Sequence, residues 1–298
     1  MTQRMKTADR AELSRVRREL LQEQRVLFLR RFLHSRQAVV GALIVLLLLI
    51  TAVLAPVLSP ADPLAQAIPN RFARPGGEYL LGADKLGRDL LSRIIYGARV
   101  SMIVGLSVGA SSMLLGMVIG LYSCWYKKLG NVLMRVCDGL SAIPSTLLAI
   151  ALMAMLGASI LNVIVALSIV YIPRMARVSR SAALVVMEQT YVEALRSQGA
   201  SAGRIIWRHI APNILSPVVV QASYNFANSI ITEAALSFLG VGVPAPQPSW
   251  GNILSEGREV ITTAWWMIVY PGIATALAVM GTNVFGDGLR DVLDPHNS

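Results

Sequence analysis

The residues most capable of chemistry sit where chemistry is unusual, inside an apolar run. Gln221, Asn225, Asn228 and Thr232 recur at spacings of four, three and four, with Glu233 beside them. On a helix that spacing stacks the four side chains on one face. Amides, a hydroxyl and a carboxyl in a lipid-embedded helix must face a bundle interior or a wet cavity, because exposure to hydrocarbon is costly. Two uses fit: the lining of a translocation path, or hydrogen bonds between packed helices. Residue types alone leave both open.

Other patterns resemble catalytic motifs and lose that meaning in context. Gly105-Leu106-Ser107-Val108-Gly109 spells the G-x-S-x-G nucleophile elbow, which needs a strand–turn–helix setting and a histidine. It lies in an apolar run, and the three histidines (His34, His209 and His296) are elsewhere. Its glycines belong instead to a series of small residues, Ser101, Gly105, Gly109, Ser112, Gly116 and Gly120. Three- and four-residue spacing of this kind allows helices to pack closely. Residues 82–89, GADKLGRD, begin like a phosphate loop but lack the Lys-Ser/Thr ending that holds phosphate and magnesium. The chain is therefore expected to carry no nucleotide, cofactor or metal site and not to be an ATPase itself. Cys124 and Cys137, the two cysteines, are too few for a disulfide framework or a cysteine metal site.

The elements that must position these residues follow from composition. Of 298 residues, 54% are hydrophobic and 15% charged, well below the roughly 25% charge of soluble domains. Apolar runs at 37–58, 100–122, 139–156, 160–173, 214–239 and 264–285 predict six membrane-spanning helices. The fourth is expected to continue to about Ser181, with Arg174, Arg177 and Arg180 reaching one interface. Gly157-Ala158-Ser159 is predicted to turn the chain between the third and fourth. The first run is too long and starts too late for a cleaved signal peptide. Pro144, Pro173 and Pro271 are candidate kinks. Asp138 is expected to pair with nearby Arg135.

Net charge is +10. Residues 1–36, 123–137, 174–213 and 286–298 carry twenty of the 27 basic side chains, and 59–99 and 240–263 carry seven. The positive-inside bias predicts that both termini are cytoplasmic. Dispersion of the basic residues between spans, without interleaved aromatics, argues against a nucleic-acid partner. Residues 1–36 are expected to form a cytoplasmic segment in which Leu13, Val16, Leu20 and Leu27 share a helical face, suited to an anionic lipid surface or to packing beside another subunit. The first span and its external loop occupy 37–99. A five-span core follows over 100–285, and a cytoplasmic tail over 286–298. In the external segment 240–263, Ser249 is a predicted N-cap, with Trp250 at headgroup level.

The longest internal hydrophilic segment is 182–213. It contains YVEALRSQGAS, with Glu193, Ala194, Gly199 and Ala200, followed by IIWRHIAPN with Pro212. The pattern predicts a helix, a glycine at a bend or close approach, and a second helix re-entering the membrane. This segment resembles the E-A-A-x(3)-G-x(9)-I-x-L-P signature of permease subunits of ATP-binding-cassette importers. Glu193, Ala194, Gly199 and Pro212 match; Leu195 replaces the second alanine, Ala211 replaces the leucine, and Ile210 stands one position off. Residues 81–102, 231–258 and 286–295 are similar to segments of the dipeptide/oligopeptide/nickel permease family, particularly its C-type members. The resemblance implies an all-α, six-span permease in the bacterial inner membrane, with Glu193, Ala194, Gly199, Ala200 and Pro212 coupling it to ATPases. It further implies a homologous permease, two ATP-binding subunits that hold ATP-Mg, and an extracytoplasmic solute-binding protein as partners. Small peptides are the implied cargo; nickel, glutathione or another small solute is the alternative within the class. An ion-coupled transporter is the competing class, for which Glu233 offers the one carboxylate well inside a span and for which no internal repeat is evident.

Overall fold

The computed structural model describes residues 29–293 together with Glu23, Val26 and Leu27. The apolar face predicted around Leu13, Val16 and Leu20, and the end of the tail, lie outside the described residues. Among the described residues there are helices and connecting turns but no strand, only two isolated bridges in the external loop.

Helix α1 covers Arg36–Val53, capped by Ser35, whose hydroxyl accepts from the Ala38 amide. Pro56 then confines the remaining apolar residues to a separate turn, Ala55–Leu58. Helix α2, Leu90–Trp125, starts ten residues before the predicted span, because Arg93 and Arg99 hide its first turns from an apolar count. Asp89 caps it, accepting from the Ser92 amide at 2.7 Å.

The third predicted span is two helices. Helix α3, Lys127–Ser141, and α4, Ser145–Leu156, meet at 94°, and Pro144 stands at the N-cap of the second. Gly157 turns the chain at φ +83°, and Ser159 caps α5, Ile160–Met187. Helix α5 runs past all three arginines and continues through Pro173. Helix α6, Thr190–Ser197, lies in the hydrophilic segment. Helix α7, Leu215–Phe238, carries the polar stripe, α8 is Trp250–Arg258, and α9 is Trp266–Leu293, uninterrupted at Pro271. Of these, α1, α2, α5 and α9 are each long and apolar enough to cross a membrane, and α3 with α4 qualifies as a broken span. Helix α7, at 24 residues, is long enough to cross, but its amides and hydroxyls lower its hydropathy.

Small residues set the packing. Gly105 and Gly109 of α2 face Phe226 and Ala222 of α7. Further along α2, a Cβ on Gly116 would lie 2.5 Å from Met175 of α5, and one on Gly120 would lie 2.5 Å from Ser179. One stripe thus seats two different helices, α7 on its first half and α5 on its second. Helices α1 and α9 run antiparallel in close contact: Gly41 abuts the backbone of Phe285, Gly288 that of Ala38, and Gly281 the side chain of Ile44. The beginning and end of the described chain therefore meet at one end of the bundle.

Two expectations are corrected. Asp138 pairs with Arg177 at 3.6 Å rather than with Arg135, because the corner at Pro144 brings α3 against α5; Arg177 also donates to Ser141 at 2.9 Å. Trp250 does not sit at a lipid headgroup surface. It is 1% exposed, and its Nε1 donates to the Ile94 carbonyl at 3.0 Å, because Gly97 leaves space for the indole against α2. Ser249 does cap α8, accepting from the Asn252 amide.

Candidate functional site

Helix α6 carries the predicted coupling residues, and its termination explains the glycine. The Ala200 amide donates to the Leu195 carbonyl and the Gly199 amide to that of Arg196, at 3.0 and 2.9 Å. This pair of bonds is the Schellman closure, which needs a left-handed residue at the first position beyond the cap. Gly199 supplies it, with φ +75°. A Cβ at Gly199 would meet nothing within 4 Å, so within this chain the glycine serves a bend and not a close approach. The hydrophobic partner of the closure, Leu195 with Ala200, rests on the adjoining core.

One face of α6 is anchored and the other is bare. Val192 is fully buried in a cluster with Leu121 and Cys124 of α2, Ala183 of α5, and Ile205, Ile206 and Ile210. Glu193, Ala194 and residues 196–199 are exposed. The Arg196 guanidinium lies 4.5 Å above the Trp125 ring at the end of α2, an attraction worth about 0.5–1 kcal/mol at an exposed site. From α6 the chain re-enters through a short turn, Ala202–Ile205, a widened π turn, Ile206–Ile210, and a tight 3-10 turn, Ala211–Ile214. Pro212 has no amide to donate and crowds the carbonyl four residues back, which interrupts the regular ladder here. Asn213 accommodates the break by donating to the His209 carbonyl at 2.6 Å and to Tyr191 Oη at 3.2 Å. What results is a small exposed ledge fixed to the ends of α2 and α5.

The polar stripe of α7 is divided by its neighbours. Asn225 is fully buried, donating to Ser112 of α2 at 3.0 Å and accepting from Gln221 at 2.9 Å. Glu233 is fully buried as well, accepting from Ser101 of α2 at 3.1 Å and from Ser237 at 2.8 Å. No ion pair involves Glu233 among the described residues. Thr232 turns to α5, with its hydroxyl 2.8 Å from that of Tyr171. Asn228 remains partly exposed and donates to the Tyr224 carbonyl at 2.9 Å. Gln221 also lines a cavity of about 470 Å³ between α5, α7 and α9, with Val178, Ser216, Tyr224 and Arg290. Asn225, Thr232 and Glu233 thus tie helices together, whereas Gln221 and Asn228 border open space.

Sequence reasoning missed a second constellation, inside the segment discarded as a failed phosphate loop. Arg88 Nε donates to Asp84 Oδ2 at 2.6 Å and its Nη2 to Glu256 Oε2 at 2.9 Å. Arg93 Nη1 donates to the same Asp84 oxygen and to Glu256 Oε2 at 2.7 Å, and Nη2 donates to Oε1 at 3.1 Å. Asp84 Oδ1 accepts from the amides of Leu86 and Arg88 at 2.8 and 3.0 Å. Asp84, Arg88 and Arg93 have side chains at most 4% exposed, and Glu256 is at 17%. Two guanidiniums and two carboxylates cancel, and this dense bonding is what makes such burial tolerable. The cluster fastens the loop before α2 to α8, and Trp266 adds a bond from its Nε1 to the Ala83 carbonyl at 3.1 Å. The readable signal was the opposite-charge spacing of four in Asp84/Arg88 and Asp89/Arg93; nothing local pointed to Glu256.

Known proteins share this chain's sequence along most of its length. The family model for the binding-protein-dependent transport system inner membrane component matches residues 112–298. The N-terminal TM domain of oligopeptide transport permease C matches residues 24–75. A Brucella suis protein that carries a peptide transport system permease name is 47% identical over 270 residues, 91% of each chain. The dipeptide transport system permease protein of Escherichia coli is 42% identical over 271 residues, covering 89% of this chain and 90% of that one. The glutathione transport system permease protein of Pectobacterium atrosepticum is 42% identical over 270 residues, 90% of each chain. With its helical bundle and several membrane-crossing helices, the chain belongs to the binding-protein-dependent transport system inner membrane components, as a polytopic permease subunit of an ATP-binding-cassette transporter.

Proposed function

We propose that this chain is one of two homologous permeases in an importer of small peptides, served by an extracytoplasmic binding protein and driven by two cytoplasmic ATPases. The observation that carries the reading is the α6 ledge. Its bare face presents Glu193 and Ala194, while Val192 and the Schellman closure at Gly199 and Ala200 fix it to the bundle. An ATPase gripping that face moves α2 and α5 with it, since the ledge shares their core. ATP-Mg is held by the ATPases; this chain supplies no nucleotide site. Pro212 sets the angle at which the ledge returns to the membrane. Read as six spans, the chain has both termini and α6 on one side, and the basic excess on that side supports its being cytoplasmic. Gln221 and Asn228 border the translocation path, while Asn225, Thr232 and Glu233 hold its wall. A small-peptide cargo is supported by the names of the relatives, glutathione itself being a tripeptide.

The complex of both permeases and both ATPases, reconstituted with its binding protein, tests this. Labelled dipeptide uptake should require ATP and survive an ionophore. Gly199→Trp and Glu193→Lys should abolish uptake while leaving membrane insertion intact. Normal uptake by both variants would sink the coupling role, and ionophore-sensitive uptake without ATPases would replace the class.

A further inference from the structure

Helix α2 is held at both ends by different devices. At its first turn, Arg93 is locked by Asp84 and Glu256, so the external loop, α8 and the start of α2 form one piece. At its last turn, Trp125 lies under Arg196, while Leu121 and Cys124 are packed around Val192 of α6. Between them α2 has no break in 36 residues, and Arg93 and Trp125 are about 48 Å apart at 1.5 Å per residue. Its neighbours join the two ends less completely: α5 runs straight into the ledge but takes no part in the outer ion pairs. Helix α7 reaches the ledge only through the π and 3-10 turns, and the third span is bent by 94°. The small-residue stripe seats α7 and α5 along α2 with buried bonds to Asn225 and Glu233.

We infer that α2 is a rigid rod connecting the outer charge cluster to the coupling ledge, through which binding-protein docking outside is conveyed to the ATPases inside. Arg93, Glu256 and Trp125 are positioning residues in this scheme: they touch neither cargo nor nucleotide, and they fix the rod's ends. The inference rests on the importer reading above. An element whose position both sites bias is what links them energetically, and the linkage is reciprocal. A rod held at its ends conveys a tilt that a softened one absorbs.

Two measurements on the reconstituted full complex test this. In the first, Leu114→Gly with Leu115→Gly softens α2 at residues exposed on its surface, away from both ends, since glycine lowers helix stability. Basal ATPase activity should stay within twofold of wild type, while stimulation by the liganded binding protein should fall at least threefold. Trp125→Leu should reduce stimulation in the same direction with basal activity kept. In the second, spin labels at Ile103 and Val118, with Cys124 and Cys137 changed to alanine, report the length of α2 in resting and ATP-trapped complexes. A separation constant within about 3 Å is expected, which requires no weakened variant to assemble. Full stimulation in both variants, or a larger change in separation, would overturn the rod. A wild-type complex that the binding protein fails to stimulate would instead overturn the importer reading on which it rests.

Discussion

Replacing Gly199 separates two demands that a glycine can meet. Its φ of +75° belongs to the left-handed region, where a side chain with a Cβ costs roughly 1–2 kcal/mol. No neighbouring atom lies within 4 Å of the place a Cβ would take, so the penalty is conformational alone in this chain. Gly199→Ala should therefore shift the closure of α6 by about 1–2 kcal/mol, a factor of 5–30 in its population. Asparagine tolerates this conformation better than alanine, and valine tolerates it worse through its branched Cβ. ATP-dependent uptake in proteoliposomes should then rank Gly199 above Asn, Asn above Ala, and Ala above Val. Proteolysis after the ledge should rise in the same order. Equal loss for Asn and Val would refute the conformational account, since only a crowded partner surface treats the two alike. Wild-type uptake by Gly199→Ala would refute it from the other side.

The outer cluster should respond to charge removal in proportion to burial. Asp84→Ala leaves two buried guanidiniums without their shared acceptor and should cost about 3–5 kcal/mol; Glu256→Gln, at the more exposed corner, should cost less, read as thermal midpoints of the purified complex. Asn225→Ala breaks the chain of bonds from Gln221 to Ser112 and should destabilise the bundle by about 0.6–1.7 kcal/mol, measured by detergent unfolding; no change would mean those bonds contribute nothing. Gly41→Leu drives a side chain into the Phe285 backbone and should force α1 from α9 at a cost of at least about 1–3 kcal/mol. The thermal midpoint of the purified complex should fall accordingly, and an unchanged midpoint would refute the close seam.

Element positions were legible where an apolar run of spanning length was bounded by turn residues. Residues 214–239 and the Gly157 turn needed no tertiary information, because length and turn chemistry settle them. The third span was misread as one helix because Pro144 can end, kink or begin a helix, and only packing of α3 against α5 makes it a corner. Helix α2 was cut short because Arg93 reads as an interfacial charge, while its neutralising partner Glu256 lies 163 positions away. Trp250 was misplaced for a related reason: an indole suits a headgroup region or a pocket equally, and Gly97, which opens the pocket, is remote in sequence. The coupling segment was legible through its local signals, a helix followed by Gly199, which match the Schellman closure. The polar stripe showed its face but not its division, since Ser101, Ser112 and Tyr171 come from two other helices.

The antiparallel seam between α1 and α9 also sets a timetable. Gly41 and Gly288 open the two surfaces to each other, yet 247 positions of sequence separate them. At translation speeds of roughly 5–20 residues per second, α1 waits roughly 10–50 s in the bilayer before its partner emerges. During that interval the notch at Gly41 is open to lipid or to any other small-residue helix inserted nearby. The seam is thus sealed only when α9 closes against α1, and a chain truncated before α9 would keep it open.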